Sequence, residues 1–144
     1  MKDLSQLLLR LAIGIGLLSA VADRFGLWGS FGQVGVTWGN WETFIGYTQT
    51  LNFNIGQQYA NILGGIATFA EIALGILLIA GYKLKYAARF TALLLLVFGL
   101  TMCINTKIKY ALDYSVFIGS FAALLLSCEP NYKWSIDSLI TTKK

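Results

Sequence analysis

The sequence predicts an all-α integral membrane protein: a single domain over residues 1–144, built as a bundle of four transmembrane helices. Three observations predict this fold. First, 56% of the residues are hydrophobic and only 12% are charged, whereas a soluble domain carries roughly a quarter charged residues. Second, four apolar segments approach the length of about 20 residues that crosses a bilayer. Third, basic and aromatic residues collect at the ends of these segments, as they do in membrane proteins.

The four apolar segments set the order of the predicted helices. The predicted spans are residues 4–22, 59–82, 86–103 and 111–128. The first ends in Ala20-Val21-Ala22, which mimics the cleavage site of a signal peptide, but Arg10 interrupts its apolar run. We therefore expect a retained helix. The fourth is the weakest span, and Pro130 helps to end it because proline cannot continue a helix.

The asymmetry of Lys and Arg predicts that both termini are cytoplasmic. Four spans place eight basic residues on the side of the termini and three on the other side. The eight are Lys2, Arg10, Lys83, Lys85, Arg89, Lys133, Lys143 and Lys144, and the three are Arg24, Lys107 and Lys109. Because cytoplasmic segments are enriched in Lys and Arg, the long first connection, residues 25–58, is predicted to be periplasmic.

This first connection is long for a helical bundle, and connections of that length usually contain structure or carry function. Asn40 is a predicted N-cap. The residues that recur after it at helical spacing are Trp41, Phe44, Ile45, Thr48 and Leu51. They predict a short amphipathic helix. The helix is either an anchor at the membrane surface or part of a lid in which Trp38, Trp41 and Phe44 cover a ligand.

Glu71 is the most informative single residue, because it lies near the middle of the second span. An ionised group at that depth costs about 3 kcal/mol on insertion scales, so it should face protein rather than lipid. Gly64, Thr68 and Gly75 share its helical stripe. Small residues allow helices to approach closely, so Glu71 is predicted to point into a packed interface.

Arg10 and Arg89 are the predicted partners of Glu71, since both lie about one-third of the way in from the cytoplasmic side. A guanidinium group can hold a carboxylate with two hydrogen bonds. The predicted intramembrane polar cluster is therefore Glu71, Arg10 and Arg89. It is either a clamp that fixes helix register or a polar pocket for a head group or a proton.

Three further charged residues are predicted at the periplasmic ends of the spans. Asp23 and Arg24 close the first span, and Asp113 opens the fourth at the same level. Asp113 precedes Tyr114-Ser115 and fits the N-cap position of a helix. These residues either cap helix ends or line the outer mouth of a pocket.

The residue types exclude several classes of function. The chain contains no histidine, which removes the commonest metal ligand and the usual general base. Its two cysteines, Cys103 and Cys128, form no CxxC motif and lie near opposite membrane faces in the predicted topology, so neither a metal site nor a thiol relay is expected. The basic residues form no soluble patch, so nucleic acid is not an expected partner.

The motifs, taken in order, resemble the DoxX family of small bacterial membrane proteins. The segments that carry the resemblance are Arg10-Leu11-Ala12 with Gly14 and Gly16, Ala22-Asp23-Arg24-Phe25, Glu71-Ile72-Ala73-Leu74-Gly75, Gly81-Tyr82-Lys83, Tyr86-Ala87-Ala88-Arg89 and Asp113-Tyr114-Ser115. Together they cover most of the chain before the tail that follows Cys128. The family pattern often has Lys where Arg24 stands. The resemblance implies a four-helix protein of the bacterial inner membrane.

Some relatives in that family look like subunits of thiosulfate:quinone oxidoreductases, and others belong with redox or detoxification enzymes. The resemblance therefore implies an accessory membrane subunit of such a system, with a quinone or a similar amphiphile as its ligand. A self-contained enzyme is not expected, because the chain has no histidine and no covalent cofactor motif. The alternatives are a small proton-coupled transporter that uses Glu71, and a structural or assembly partner in a membrane complex or homo-oligomer.

Overall fold

The computed structural model describes residues 1–142, and all regular secondary structure within them is helical. Seven helices follow one another along this part of the chain. They are α1 (Lys2–Arg24), α2 (Trp41–Leu51), α3 (Gln57–Ala80), α4 (Leu84–Asn105), α5 (Ile108–Asp113), α6 (Val116–Ser127) and α7 (Ile136–Thr142). Lys143 and Lys144, which contribute to the predicted charge asymmetry, lie outside the described residues.

Three of the helices, α1, α3 and α4, are long and apolar enough to cross a membrane, with 23, 24 and 22 residues. At about 1.5 Å per residue, each exceeds the roughly 30 Å hydrocarbon core of a bilayer. Their outward faces carry large exposed apolar side chains, such as Phe69 on α3 and Phe90 on α4. These helices correspond to the first three predicted spans.

The fourth predicted span, residues 111–128, is not one continuous helix. Ser115 adopts a left-handed conformation with φ of 55° and separates α5 from α6. An amino acid with a side chain rarely adopts this conformation, and it cannot continue a right-handed helix. The resulting α6 has 12 residues and is therefore only about 18 Å long.

Neighbouring helices run antiparallel, and α1 packs on α3 and α6 while α4 packs on the same two helices. One end of this assembly carries the first connection and α2, and we call it the loop end. The other end carries both ends of the described chain, and we call it the terminal end. The short helix α2 packs across α3, α4 and α1 at the loop end.

The contact between α1 and α3 depends on two glycines. A Cβ atom on Gly14 would lie 3.0 Å from the carbonyl oxygen of Gly75, and one on Gly75 would lie 3.1 Å from the carbonyl oxygen of Gly14. These distances leave no room for a side chain at either position. The two backbones therefore meet directly, as at other small-residue contacts between membrane helices.

The C-terminal segment packs against the terminal end. The carboxylate of Asp137 accepts hydrogen bonds from the backbone N–H groups of Lys83 and Leu84, at 2.8 Å each. These groups begin α4, where no earlier turn of helix can satisfy them and where a negative charge is favourable. Asp137 therefore caps α4 and fastens the end of the chain to the turn between α3 and α4.

Candidate functional site

A buried ion pair joins α1 to α3 in the loop-end half of the protein. Glu71 and Arg24 are each only 3% exposed. The Nη1 group of Arg24 donates one hydrogen bond to Glu71 Oε2 and a second, of 2.8 Å, to the hydroxyl of Thr68. The prediction that Glu71 faces the protein interior is confirmed, and Gly64, Thr68 and Gly75 of the same stripe are also buried.

The predicted partners of Glu71 were wrong. Arg10 donates instead to the backbone carbonyl of Trp134 at the terminal end, and Arg89 is exposed. The register of the two antiparallel helices explains this difference. Since Gly14 lies opposite Gly75, the α1 residue level with Glu71 is close to position 18. Arg10 is then about 12 Å away along the helix axis and Arg24 about 9 Å, a gap that the long arginine side chain largely closes.

Two aromatic rings cover the guanidinium group of Arg24. Its central carbon lies 4.1 Å from the centroid of the Phe44 ring and 5.2 Å from that of Trp38. A cation over an aromatic face is attracted to the negative charge of the ring surface. The pair is therefore closed off from the loop end by one residue of the first connection and one residue of α2.

Trp41, the third residue of the predicted lid, is directed elsewhere. Its ring stacks on Phe25 with centroids 5.8 Å apart, and its indole N–H donates to the side chain of Asn61 at 3.0 Å. The helix itself begins as predicted, because the Asn40 side chain accepts a hydrogen bond of 2.8 Å from the N–H of Thr43. It packs on the other helices rather than lying apart from them, an arrangement that favours the lid interpretation over a simple surface anchor.

Asp23 holds the first connection in place above the ion pair. Its carboxylate accepts hydrogen bonds from three consecutive backbone N–H groups, those of Thr37, Trp38 and Gly39, at 2.9, 3.0 and 3.3 Å. Asp23 is 6% exposed. The three donors stabilise its negative charge, and no basic side chain pairs with it within residues 1–142. Asp23 thus fixes the position from which Trp38 reaches Arg24.

Replacing Asp23 by alanine is expected to loosen this connection. Hydrogen bonds to charged groups contribute about 1.5–3 kcal/mol, so amide hydrogen exchange at Thr37–Gly39 should accelerate by roughly 10- to 150-fold. Exchange measured by mass spectrometry on peptides of this segment tests the expectation. Asp113→Ala is the matched control, and it should leave this segment unchanged. Equal protection in Asp23→Ala and the wild type would contradict the role of Asp23.

Asp113 does not join Asp23 and Arg24 at a common mouth. It lies at the end of α5, is exposed, and forms a 2.5 Å ion pair with Lys109 one turn earlier. The predicted N-cap role of Asp113 is wrong, because Ser115 occupies the N-cap position of α6. The sequence alone does not show the extra turn of α5, and this turn moves Asp113 away from the start of α6.

A cavity of about 1100 Å³ lies beside the ion pair. It is lined by residues of α1 to α5 and of the first connection. Most of its wall is apolar. Its polar residues include Arg24, Glu71, Tyr47 and Thr48. Among the described residues, no group donates to Glu71 Oε1 and none accepts from Arg24 Nη2, since the bonds of this pair run through Oε2 and Nη1. Within the described residues, the pair therefore presents a free acceptor, Glu71 Oε1, and free donors at Arg24 Nη2 and Nε.

Tyr47 places a phenolic hydroxyl group on the cavity wall beside the ion pair's other polar neighbours. Burial raises the pKa of the Tyr47 hydroxyl above its ordinary value, and the neighbouring Tyr114 and Tyr110 raise this pKa further. The hydroxyl is therefore protonated at neutral pH and is able both to donate and to accept a hydrogen bond. No pattern in the sequence distinguishes Tyr47 from the other tyrosines, because only the fold of α2 brings it to the cavity.

Within residues 1–142, no group of three or more His, Cys, Asp or Glu side chains is arranged to hold a metal ion. In the same part of the chain, Cys103 and Cys128 are free thiols.

The described helices define the class, an all-helical protein with three helices long and apolar enough to cross a membrane and with a half-open cavity lined by polar groups buried among them. Comparisons of the chain with models of protein families, with curated proteins and with solved structures found no match.

Proposed function

We propose that this protein binds a quinone or a similar amphiphile in the loop-end cavity and serves as an accessory membrane subunit of a redox or detoxification system. The observation that carries the proposal is the placement of a buried ion pair with free hydrogen-bonding atoms on the wall of a large apolar cavity. Sites for small molecules are typically apolar pockets of about 300–1,000 Å³ with a few well-placed polar groups.

The cavity wall combines polar and apolar side chains, so it suits a ligand with a polar head group and an apolar tail. Glu71, Arg24 and Tyr47 would contact the polar head group. Apolar side chains of α3 and α4, such as Leu63 and Phe98, would contact the apolar part. Trp38 and Phe44 would cover the site, as the lid interpretation requires. The volume of about 1100 Å³ accommodates a ring with a substantial piece of chain.

The redox context of the proposal rests on the resemblance to the DoxX family. The chain has no histidine, and its cavity offers hydrogen bonds rather than a reactive group. A catalytic partner would therefore supply the electron transfer, and this chain would hold the amphiphile in the membrane. A second copy of the chain is a further candidate partner within such a complex.

We also propose the placement of the chain in the bilayer. The three long helices would cross the inner membrane of a bacterium, and α5 and α6 with the turn at Ser115 would complete a fourth crossing. The basic residues at the terminal end, such as Lys83 and Lys85, support cytoplasmic termini and a periplasmic loop end.

The pairing of Glu71 bears on the two alternative functions. A proton carrier needs a carboxyl group that changes its protonation state, whereas Glu71 is held by Arg24 in a direct, buried contact. This observation favours ligand binding over proton-coupled transport. A purely structural role for the ion pair would not account for the cavity that lies beside it.

Blocking the cavity tests the proposal. A Cβ atom on Gly16 would meet nothing within 4 Å, and Gly16 lines the cavity, whereas Gly65 has equal space but does not line it. We expect wild-type protein and Gly65→Trp to retain a quinone or another amphiphile on purification, detected by mass spectrometry of solvent extracts. Gly16→Trp should retain at least about tenfold less, equivalent to 1.4 kcal/mol. Equal retention in all three proteins would contradict the proposal.

A further inference from the structure

We infer that the cavity selects neutral amphiphiles whose head group carries an O–H or N–H donor, and that it discriminates against anionic and cationic head groups. The inference rests on the proposed function and specifies the chemical class of the ligand. Three features of the site carry it: the cancelling charges of the ion pair, the fastening of the third charged residue, and the free hydrogen-bonding atoms.

The two charges at the polar end of the site cancel each other. Arg24 and Glu71 are in direct contact, and each is 3% exposed. An anionic head group at Arg24 Nη2 would add a second negative charge beside Glu71, and a cationic one at Glu71 Oε1 would add a second positive charge beside Arg24. Either ion gives the buried pair a net charge and also loses the water around it.

Asp23 is the third charged residue of the cavity wall. Its negative charge does not make the site favourable for a cationic head group. Its carboxylate already accepts hydrogen bonds from three backbone N–H groups of the first connection. These donors stabilise the negative charge and hold its oxygens toward the connection. A cation that recruited Asp23 would therefore release the segment that places Trp38 over Arg24.

The free atoms of the pair define what a neutral head group must offer. Glu71 Oε1 needs a donor, and Arg24 Nη2 needs an acceptor, because neither has a partner among the described residues. A hydroxyl group satisfies both needs. A head group with only carbonyl or ether oxygens satisfies Arg24 and leaves Oε1 of the buried Glu71 side chain unpaired, and buried polar sites reject such ligands strongly. Of a quinone pair, the reduced quinol therefore fits better than the quinone.

The experiment compares probes that share a ten-carbon chain. Wild-type protein in phosphatidylcholine nanodiscs is titrated with decanol, decyl methyl ether, decanoate and decylamine, and with decylubiquinol and decylubiquinone. Binding is measured as the rise in melting temperature relative to Gly16→Trp, whose blocked cavity corrects for partition into lipid. We expect decanol and decylubiquinol to bind at least about tenfold more tightly than the other four, a difference of 1.4 kcal/mol.

The outcomes separate the two proposals. If no probe distinguishes wild type from Gly16→Trp, the proposed function fails. If decanoate or decylamine matches decanol, or if the ether matches it, the cavity binds ligands but the inferred selectivity is wrong. Glu71→Gln gives an independent test, because it leaves Arg24 without its countercharge. In that variant, decanoate should bind about tenfold more tightly than it does to the wild type, and an unchanged affinity for decanoate would overturn the inference.

Discussion

Glu71→Leu is expected to lower the free energy of unfolding by about 3–5 kcal/mol, because it leaves the buried guanidinium group of Arg24 without its countercharge. Arg24 is only 3% exposed, and the hydrogen bond that remains to it among the described residues is the one to the hydroxyl of Thr68. Equilibrium unfolding in mixed micelles, followed by circular dichroism, measures the effect. No other single side-chain truncation in this protein is expected to cost more.

Two control variants identify the partner. The double variant Arg24→Leu/Glu71→Leu removes both charges and should regain most of the lost stability, since a buried pair replaced by apolar residues is often close to neutral. Arg89→Leu should change stability by less than about 0.5 kcal/mol, because Arg89 is exposed. If Arg10→Leu or Arg89→Leu rescued Glu71→Leu and Arg24→Leu did not, the assignment of the pair would be wrong.

Gly14→Leu is the second substitution with a large expected effect, about 3 kcal/mol of lost stability. A Cβ atom at Gly14 would lie 2.8 Å from Ile79 Cγ1 and 3.0 Å from the carbonyl oxygen of Gly75, so a side chain there forces α1 away from α3. The same unfolding experiment measures it. Gly16→Leu is the matched control on the same helix, because a Cβ atom there meets nothing within 4 Å. Equal losses in the two variants would show that α1 and α3 do not touch at Gly14.

The long helices were predictable from the sequence because apolar length is a local property. The runs that became α1, α3 and α4 each satisfy the length and composition of a membrane helix without reference to any other part of the chain. The N-cap at Asn40 was predictable for the same reason, since a cap depends on a few neighbouring residues. The turn at Ser115 was not predictable. Ser115 adopts a left-handed conformation, but no glycine or proline marks this position in the sequence.

The candidate site was predictable only in part. The burial of Glu71 follows from the cost of placing a charge in lipid, and this argument needs no knowledge of its partner. The choice of Arg24 over Arg10 depends on the register between α1 and α3, which Gly14 and Gly75 fix through contacts distant in sequence. The role of Asp23 likewise depends on a connection that returns to it from 14 to 16 residues further along the chain.

The most direct test of the central claim is an experimental structure of the protein in lipid nanodiscs, at a resolution that shows side chains and head groups. We predict that Arg24 contacts Glu71 and that an elongated ligand occupies the cavity, with its polar end against Glu71 Oε1 and Arg24 Nη2. A structure in which Glu71 pairs with Arg10 or Arg89, or in which neighbouring side chains fill the cavity beside an intact pair, would contradict the claim.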